Sequence, residues 1–478
     1  MPKTIFKVTD KTGLDALWAE SHVVYIPCAA KYEAEPSNYD SATNYKVGDK
    51  VKQTVSDTTT YYVCIKDGKN QNPSTATTYW EALGTTWTLQ TAVDPKLFIN
   101  VDDLKNERGN YTEDEGFKAA LYLLEIGLPV LLEGVLTTID GTASGQILDP
   151  DSTDPQAYPV FNWTRLKDKN LYDIKFITTG KWDGIERTVT TGQNPTSTCN
   201  ANLAKAINDL AEARKDCIAI INIPTDLVKA TEIRDCVDNA KVNDEAYTID
   251  WERATAIVPS VKLTNTNIKG EWVHGVWDYL GAYGYAIKNG NPSWYAMAGS
   301  YRGVNPDVAE VKVNFNLADI EVLQARSKTT EVDLDANGDN IGIAINPIAL
   351  INPYGILVWG NRTLKNNKDA NGGTTGAGVL TASSFLNIEC MVATINKRLY
   401  SVANKYRFEP NSDILWFNVQ AEIIPFLNQI KSGNGILAYK LERVETSARG
   451  RIVVRLTLVP IEAVEDFVFE VDLTDYIA

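Results

Sequence analysis

Between Pro95 and Ile223 the sequence twice repeats one pattern: a segment with apolar residues at helical spacing is followed almost at once by a short apolar run. In the first copy Leu97-Phe98-Ile99 reads as a strand. Thr112 to Ile126 then carries acids in its first turn, with Phe117, Ala120, Leu121 and Leu124 on one face, and Leu128 to Leu132 reads as a buried strand. In the second, Thr198 is the expected helix cap, Leu203, Ala206, Ile207 and Leu210 share a face, and Cys217 to Ile223 is the strand. Uninterrupted apolar strands need cover on both faces, and strands alternating with helices tend to pair in parallel. The pattern therefore requires an α/β core with an at least partly parallel sheet. His22 to Lys31, a further apolar run, supplies its first strand.

From Glu35 to about Thr91 the composition shifts to Thr, Ser, Asn, Gly and Tyr, and strands read as short aromatic pieces: Tyr45 to Val51, Tyr61 to Ile65 and Tyr79 to Leu83. This is a small β module inserted between the first two strands of the core. Past Glu331 the elements lengthen. Phe385, Ile388, Met391, Val392, Ile395, Leu399 and Val402 mark one long amphipathic helix, Phe408-Glu409-Pro410-Asn411 breaks it, and a second helix runs from about Ser412 to Ile430 before closing strands. The expected fold class is α/β (α+β), multi-domain, with mixed sheets, long C-terminal helices and a small all-β inserted domain. The expected division is an N-terminal arm (1–20), an α/β middle domain (21–36 and 94–330), the insert (37–93), a C-terminal domain (331–466) and a C-terminal arm strand (467–478).

Composition narrows the function. With 46 Lys and Arg against 61 Asp and Glu, the formal net charge of −15 disfavours a non-specific phosphate-backbone binder, so no nucleic-acid partner is expected. Met1 to Lys7 lacks the apolar core of a signal peptide. The longest uncharged window, Asn340 to Asn361, contains Asn346, Pro347, Asn352 and Pro353 and reads as buried loop and strand, not as a membrane span. The six cysteines form no CxxC pair and read as reduced, mostly buried thiols. Only two histidines occur, His22 and His274, without HExxH, GxSxG or GxxxxGK[ST] spacing, and the Gly372 to Gly378 run lies in a polar loop. No enzyme activity, cofactor or metal is expected. Asp333-Leu334-Asp335-Ala336-Asn337-Gly338-Asp339 has the early ligand positions of a calcium loop, but Ala344 stands where its bidentate Glu belongs, and Asn337-Gly338 reads equally as a hairpin turn.

The chain end is the most informative local feature. Phe467, Phe469, Val471 and Leu473 fall on one face of a strand, and Val468, Glu470, Asp472 and Thr474 on the other. This acidic end complements a start that carries Lys3, Lys7 and Lys11. Pairing of the two ends can occur within one subunit or between subunits.

Several strings together resemble a known family. Ile345-Asn346-Pro347, then Gly355 to Leu364, then Asn396-Lys397-Arg398-Leu399 on a helix, then Phe408-Glu409-Pro410-Asn411 with Leu415-Trp416 are similar, in order and spacing, to the contractile tail sheath proteins of bacteriophages. Tyr295 to Tyr301 and Gly450 to Val471 extend the likeness, which is good from Ser293 onward, moderate from Pro95 to Pro292, and absent from Ser37 to Val93. The family's usual Pro-Gly-Val-Tyr opening is missing, and Asn361 stands where a small residue is commoner.

The resemblance implies a structural subunit with a sheath-type core that forms stacked rings in a helical tube. Its implied partners are copies of itself, the inner tail tube protein, and baseplate and tail terminator proteins; its implied place is the virion tail, assembled in the host bacterial cytoplasm. It also implies terminal strands donated to neighbours, here by Ile5, Phe6, Lys7 and Val8 and by Phe467, Phe469, Glu470, Val471, Asp472 and Leu473. Lys397, Arg398 and Arg362 would then bridge to carboxylates of neighbouring subunits, with a solvated face the alternative for Lys397.

The insert resembles a small carbohydrate-binding module of the chitin-binding kind, with Tyr39 where that family begins with tryptophan. Tyr62, Tyr79 and Trp80 are the candidate contacts to surface glycans, although a module this small must spend some aromatics on its own core. A secreted carbohydrate-binding or carbohydrate-active protein is the alternative reading.

Overall fold

The computed structural model describes residues 20–29, 36–47, 49–85, 93–108, 114–135, 163–189, 197–200, 202–243, 251–324, 344–365, 381–444 and 451–463. The chain opens with β1 (Val24–Ala29), in which Val24, Tyr25 and Ile26 are all buried because both faces of the strand are covered. The insert follows as β2 (Asn44–Tyr45), β3 (Lys50–Val55), β4 (Thr58–Cys64), β5 (Gly68–Lys69) and β6 (Trp80–Gly84). Its three-stranded sheet, β3-β4-β6, packs around Tyr45, Val51, Cys64 and Trp80. The expected single strand from Tyr45 to Val51 is in fact two, β2 and β3. The carboxylate of Asp49 accepts from the Lys46 amide at 2.7 Å and turns the chain there.

The core resumes with β7 (Val93–Phe98), α1 (Val101–Arg108), α2 (Glu115–Glu125) and β8 (Val130–Val135). Asp114 caps α2 by accepting from the Phe117 amide at 3.0 Å. Then come α3 (Trp163–Leu166), β9 (Phe176–Thr178), the ribbon of β10 (Glu186–Val189) and β11 (Ser197–Asn200), α4 (Asn202–Arg214), β12 (Ile218–Ile221), α5 (Ala230–Asn243) and β13 (Ala254–Val258). Thr198 lies in β11 and is not the cap of α4, because its segment pairs with β10. After β14 (Val261–Leu263), α6 (Val276–Lys288), α7 (Gly299–Arg302), β15 (Val308–Val311) and α8 (Leu317–Leu323), the sheet is completed by β16 (Asn346–Ile351) and β17 (Gly355–Val358).

The eight-stranded sheet has the order β17-β16-β13-β12-β9-β1-β8-β7. The six inner strands are parallel, and the two outer ones, β17 and β7, run antiparallel to their neighbours. Alternate side chains feed two cores. Tyr25, Ile177, Ala219 and Ile221 join the face that includes α4 and α5; Val24, Ile26, Phe176 and Ile220 join the face that includes α2 and α6. Because β16 and β17 belong to this sheet, it crosses the expected boundary at residue 331. The separate C-terminal unit comprises α9 (Leu386–Lys405), α10 (Asp413–Ser432), β18 (Ile436–Val444) and β19 (Val453–Pro460), packed around Ile388, Met391, Ile395, Ile423, Leu427 and Ile430.

Cys28, Cys64, Cys217 and Cys390 are buried free thiols, as expected. Cys236 is not: it takes part in a disulfide. The absence of CxxC spacing says nothing about cysteine pairs made by tertiary packing. No helix among the described residues is long and apolar enough to cross a membrane.

Candidate assembly surfaces

The C-terminal unit presents the most unusual surface. Ser412 starts α10 by accepting from the Leu415 amide at 3.3 Å, and Leu415, Ile423, Phe426, Leu427 and Ile430 bury one helical stripe. Glu422 fastens the two helices. It accepts from Lys405 and from the Tyr406 hydroxyl at 2.7 Å, and Arg398 lies 3.7 Å away. Those donors together hold the Glu422 carboxyl below the usual range, against the effect of burial.

Onto this platform folds the hairpin of β18 and β19, in register from Ile436↔Pro460 to Val444↔Val453. Tyr439, Leu441, Leu456 and Leu458 pack partly against the helices, whereas Leu437 is 64% exposed and Val454 and Val459 also face solvent. The hairpin forms a two-stranded sheet, so among the described residues the outer edge of each strand has no neighbouring strand. Long open edges are templates for adding a strand from another segment.

At the carboxyl ends of the parallel strands, where open α/β sheets commonly hold ligands, side chains fill the space. His274 bonds through Nδ1 to Glu115 at 2.8 Å and through Nε2 to Asp183 at 2.9 Å. Burial alone would lower the His274 pKa, but Glu115 and Asp183 outweigh it and raise it to about 10. Gly180, at φ 64°, packs so closely on Pro27 that a Cβ would come within 2.0 Å of its carbonyl oxygen. At the opposite end, the buried Lys175 reaches Glu20 at 2.6 Å, Thr394 at 2.6 Å and the Cys390 carbonyl at 2.8 Å. Burial would raise the Glu20 pKa; Lys175 chiefly, then His22, bring it down to about 2. One ammonium thus ties the root of the N-terminal segment to β9 and α9.

This arrangement has solved counterparts. Over 80% of this chain and 87% of the other, the structure matches the sheath complex of the extracellular contractile injection system PVC in its contracted state, with a TM-score of 0.52 and 14% identity. The fold is that of a contractile sheath subunit. A chain of the contracted anti-feeding prophage baseplate is similar over 80% of this chain and 90% of its own, at 15% identity and a TM-score of 0.52. In sequence, the chain is 22% identical over 268 residues to the tail sheath protein of Vibrio phage KVP40. That match takes in 52% of this chain and 35% of the phage protein's length. No family model matches.

Within the sheath fold, the strings that carried the family resemblance prove to be structural joints. Asn346 donates to Thr255 Oγ1 and to the Arg362 carbonyl, each at 2.8 Å, and accepts from the Arg362 amide. Gly360 leaves room for this, since a Cβ there would meet Asn346 Oδ1 at 2.5 Å. Asn361 exchanges hydrogen bonds with Asn387 and so joins the sheet to the start of α9. The basic residues are also absorbed within the subunit. Lys397 pairs with Asp173, Arg398 lies near Glu422, and the Arg362 guanidinium sits 4.5 Å from the Phe385 ring centroid. Within the subunit the long side chains fold back on carboxylates and a ring of their own chain.

In the insert, Trp80 is only 3% exposed and donates its indole N–H to the Gln71 carbonyl at 2.8 Å. It is a core residue, which corrects its expected place among the glycan contacts. Tyr62 and Tyr79 are half-buried against the same core, and Lys66 lies 5.1 Å from the Tyr79 ring centroid. The expected arm residues Ile5, Phe6, Lys7, Val8, Phe467, Phe469, Glu470, Val471, Asp472 and Leu473 lie outside the described residues, as do Asp333 to Asp339. Sequence reasoning missed Lys175 and Glu20. The signal was a single lysine between the apolar Ile174 and Phe176, immediately before β9.

Proposed function

We propose that the chain is the repeating subunit of a contractile sheath, which polymerises as a helical tube around an inner tail tube and contracts to drive that tube through a host envelope. The observation that carries the reading is the β18–β19 hairpin, with no strand beside either outer edge among the described residues, set on a fold matched over four-fifths of the chain by a contracted sheath complex. A subunit that must be gripped by its neighbours, yet slide as the lattice shortens, is well served by strand addition. Backbone hydrogen bonds supply the grip, and the linking segments absorb the movement.

The donated strands in this reading come from the two chain ends, Ile5 to Val8 and Phe467 to Leu473. Further partners are the tail tube, baseplate and tail terminator proteins, and assembly takes place in the bacterial host cytoplasm. The work is structural, without catalysis. The insert decorates the outer surface of the tube; if it meets surface glycans, the half-exposed Tyr62 and Tyr79 make the contact. Electron microscopy of the purified chain, alone and with its tube protein, tests the proposal: tubes or stacked rings are expected, and removal of residues 467–478 should abolish them while the α/β core stays folded. A monodisperse monomer under all conditions would count against the sheath function, and tubes of normal length from the truncated chain would count against strand donation by the C-terminus.

A further inference from the structure

Two features stand at opposite ends of the α9–α10 pair. At the corner between the helices, Phe408 is 97% exposed and its backbone stands at φ 74°. A bulky residue in the left-handed region is a conformational outlier, and a phenyl ring fully in water gains nothing from burial. Both costs fall on one residue, flanked by the exposed Arg407 and Glu409.

At the far end lies a cavity of about 570 Å³ walled by Trp294, Tyr295 and Trp359. Asn387, from the first turn of α9, and Asn434, just past α10, close its sides, and the exposed Glu462 stands at its rim. The indole N–H of Trp294 donates to the Gly433 carbonyl at 2.9 Å, which fixes the aromatic wall. The 20 residues of α9 separate projection and cavity by about 30 Å.

We infer that Phe408 of one copy of this chain seats in this aromatic cavity of the next copy, with Arg407 beside it facing Glu462 at the rim. The occupant is a second copy because the projection carries one cation and one anion, Arg407 and Glu409, the cavity presents one of each, Glu462 and Arg302, and the two patches sit at opposite ends of the same helix pair. Such a contact is heterologous: it uses two different patches, does not close on itself as a two-fold contact does, and repeats indefinitely along a line. That is the kind of contact a helical tube needs, and it is separate from strand addition at the hairpin. The inference rests on the sheath reading for the existence of a polymer and adds the surfaces that meet.

The test uses the full-length chain. Phe408→Gly removes the ring and relieves the backbone, so the monomer should unfold at the same or a higher temperature, while tubes should need at least tenfold more protein to form. A chain carrying both Phe408→Cys and Ala296→Cys, the second at the cavity wall, should give a ladder of covalent oligomers on mild oxidation that neither single variant gives. Normal tube formation by Phe408→Gly would overturn the inference and leave the sheath function standing. Tubes without a ladder would mean that something else fills the cavity, such as residues 464–478 of the same chain, which follow Ala463 at its rim; this too overturns it. Failure of the unmodified chain to form any tube would overturn the sheath function and this inference together.

Discussion

Asp278, in the first turn of α6, is fully buried, and only a weak interaction with Asn305 offsets the loss of water around its carboxylate. Burial pushes its pKa up to about 7. Above the ordinary aspartate range the folded chain therefore holds this proton more tightly than the unfolded chain. Stability is highest below about pH 4, falls as the pH rises toward 7, and carries a constant cost beyond that. Asp278→Asn should raise the unfolding free energy by about 1–3 kcal/mol at pH 8 and by little at pH 4, measured by urea denaturation. An equal gain at both pH values would contradict the account. His274 makes stability fall with pH in the same direction, but for the opposite reason: its charged form is the one the fold favours. Its pKa, raised to about 10 by Glu115 and Asp183, contributes stability that is complete below pH 6.5 and is lost as the pH climbs through 10. Nothing in the sequence separates these residues from ordinary buried polar side chains, because their behaviour depends on partners, or missing partners, that are distant in the chain.

Elements were legible where their own periodicity decided them. The long helices α9 and α10 and the strands β1, β8 and β12 follow from apolar spacing alone, because each buries a stripe or two faces that local sequence encodes. α1 escaped notice since its eight residues, Val101–Arg108, are mostly charged and only Leu104 is buried. The sheet continues past the expected boundary at 331 because β16 pairs with β13, through Ile257↔Asn346 and Val258↔Pro347, and a pairing of such sequence separation leaves no local mark. The hairpin β18–β19 agrees with the expected closing strands, but that no strand flanks it among the described residues depends on tertiary neighbours and not on local sequence. Replacing both Leu437 and Val459 with lysine should leave the unfolding free energy within about 0.5 kcal/mol, since both side chains face solvent, while shortening or abolishing tubes seen by electron microscopy. Normal tubes from this variant would remove the exposed face of the hairpin from the assembly surface.

At the scale of the molecule, the insert is attached by a narrow neck. β8 lies between β1 and β7, and Gly134 is opposite both Cys28 near the end of β1 and Val93 at the start of β7. Entry and exit are therefore two strand spacings apart, about 10 Å, a gap that about four residues can bridge. Replacing residues 30–92 with a four-residue glycine-serine linker should leave the fold and the tubes intact, as judged by circular dichroism and microscopy. Loss of tubes from a folded deletion variant would instead make the insert part of the lattice.

The first and the last described segments are also held in different ways, and the difference matters under tension. A pull on the N-terminus enters through Glu20, anchored by Lys175, into β1, which is bonded along its length to β8 on one side and next to β9 on the other. Such a pull loads those bonds side by side, in shear. A pull on the C-terminus meets Pro460, whose partner Ile436 is where β18 leaves α10. Load and anchor then sit at the same end of the hairpin, and its rungs open one after another like a zip. Single-molecule stretching from the two termini should therefore show the β18–β19 hairpin yielding first, at low force, while β1 holds: one end of the subunit is a tether and the other a release.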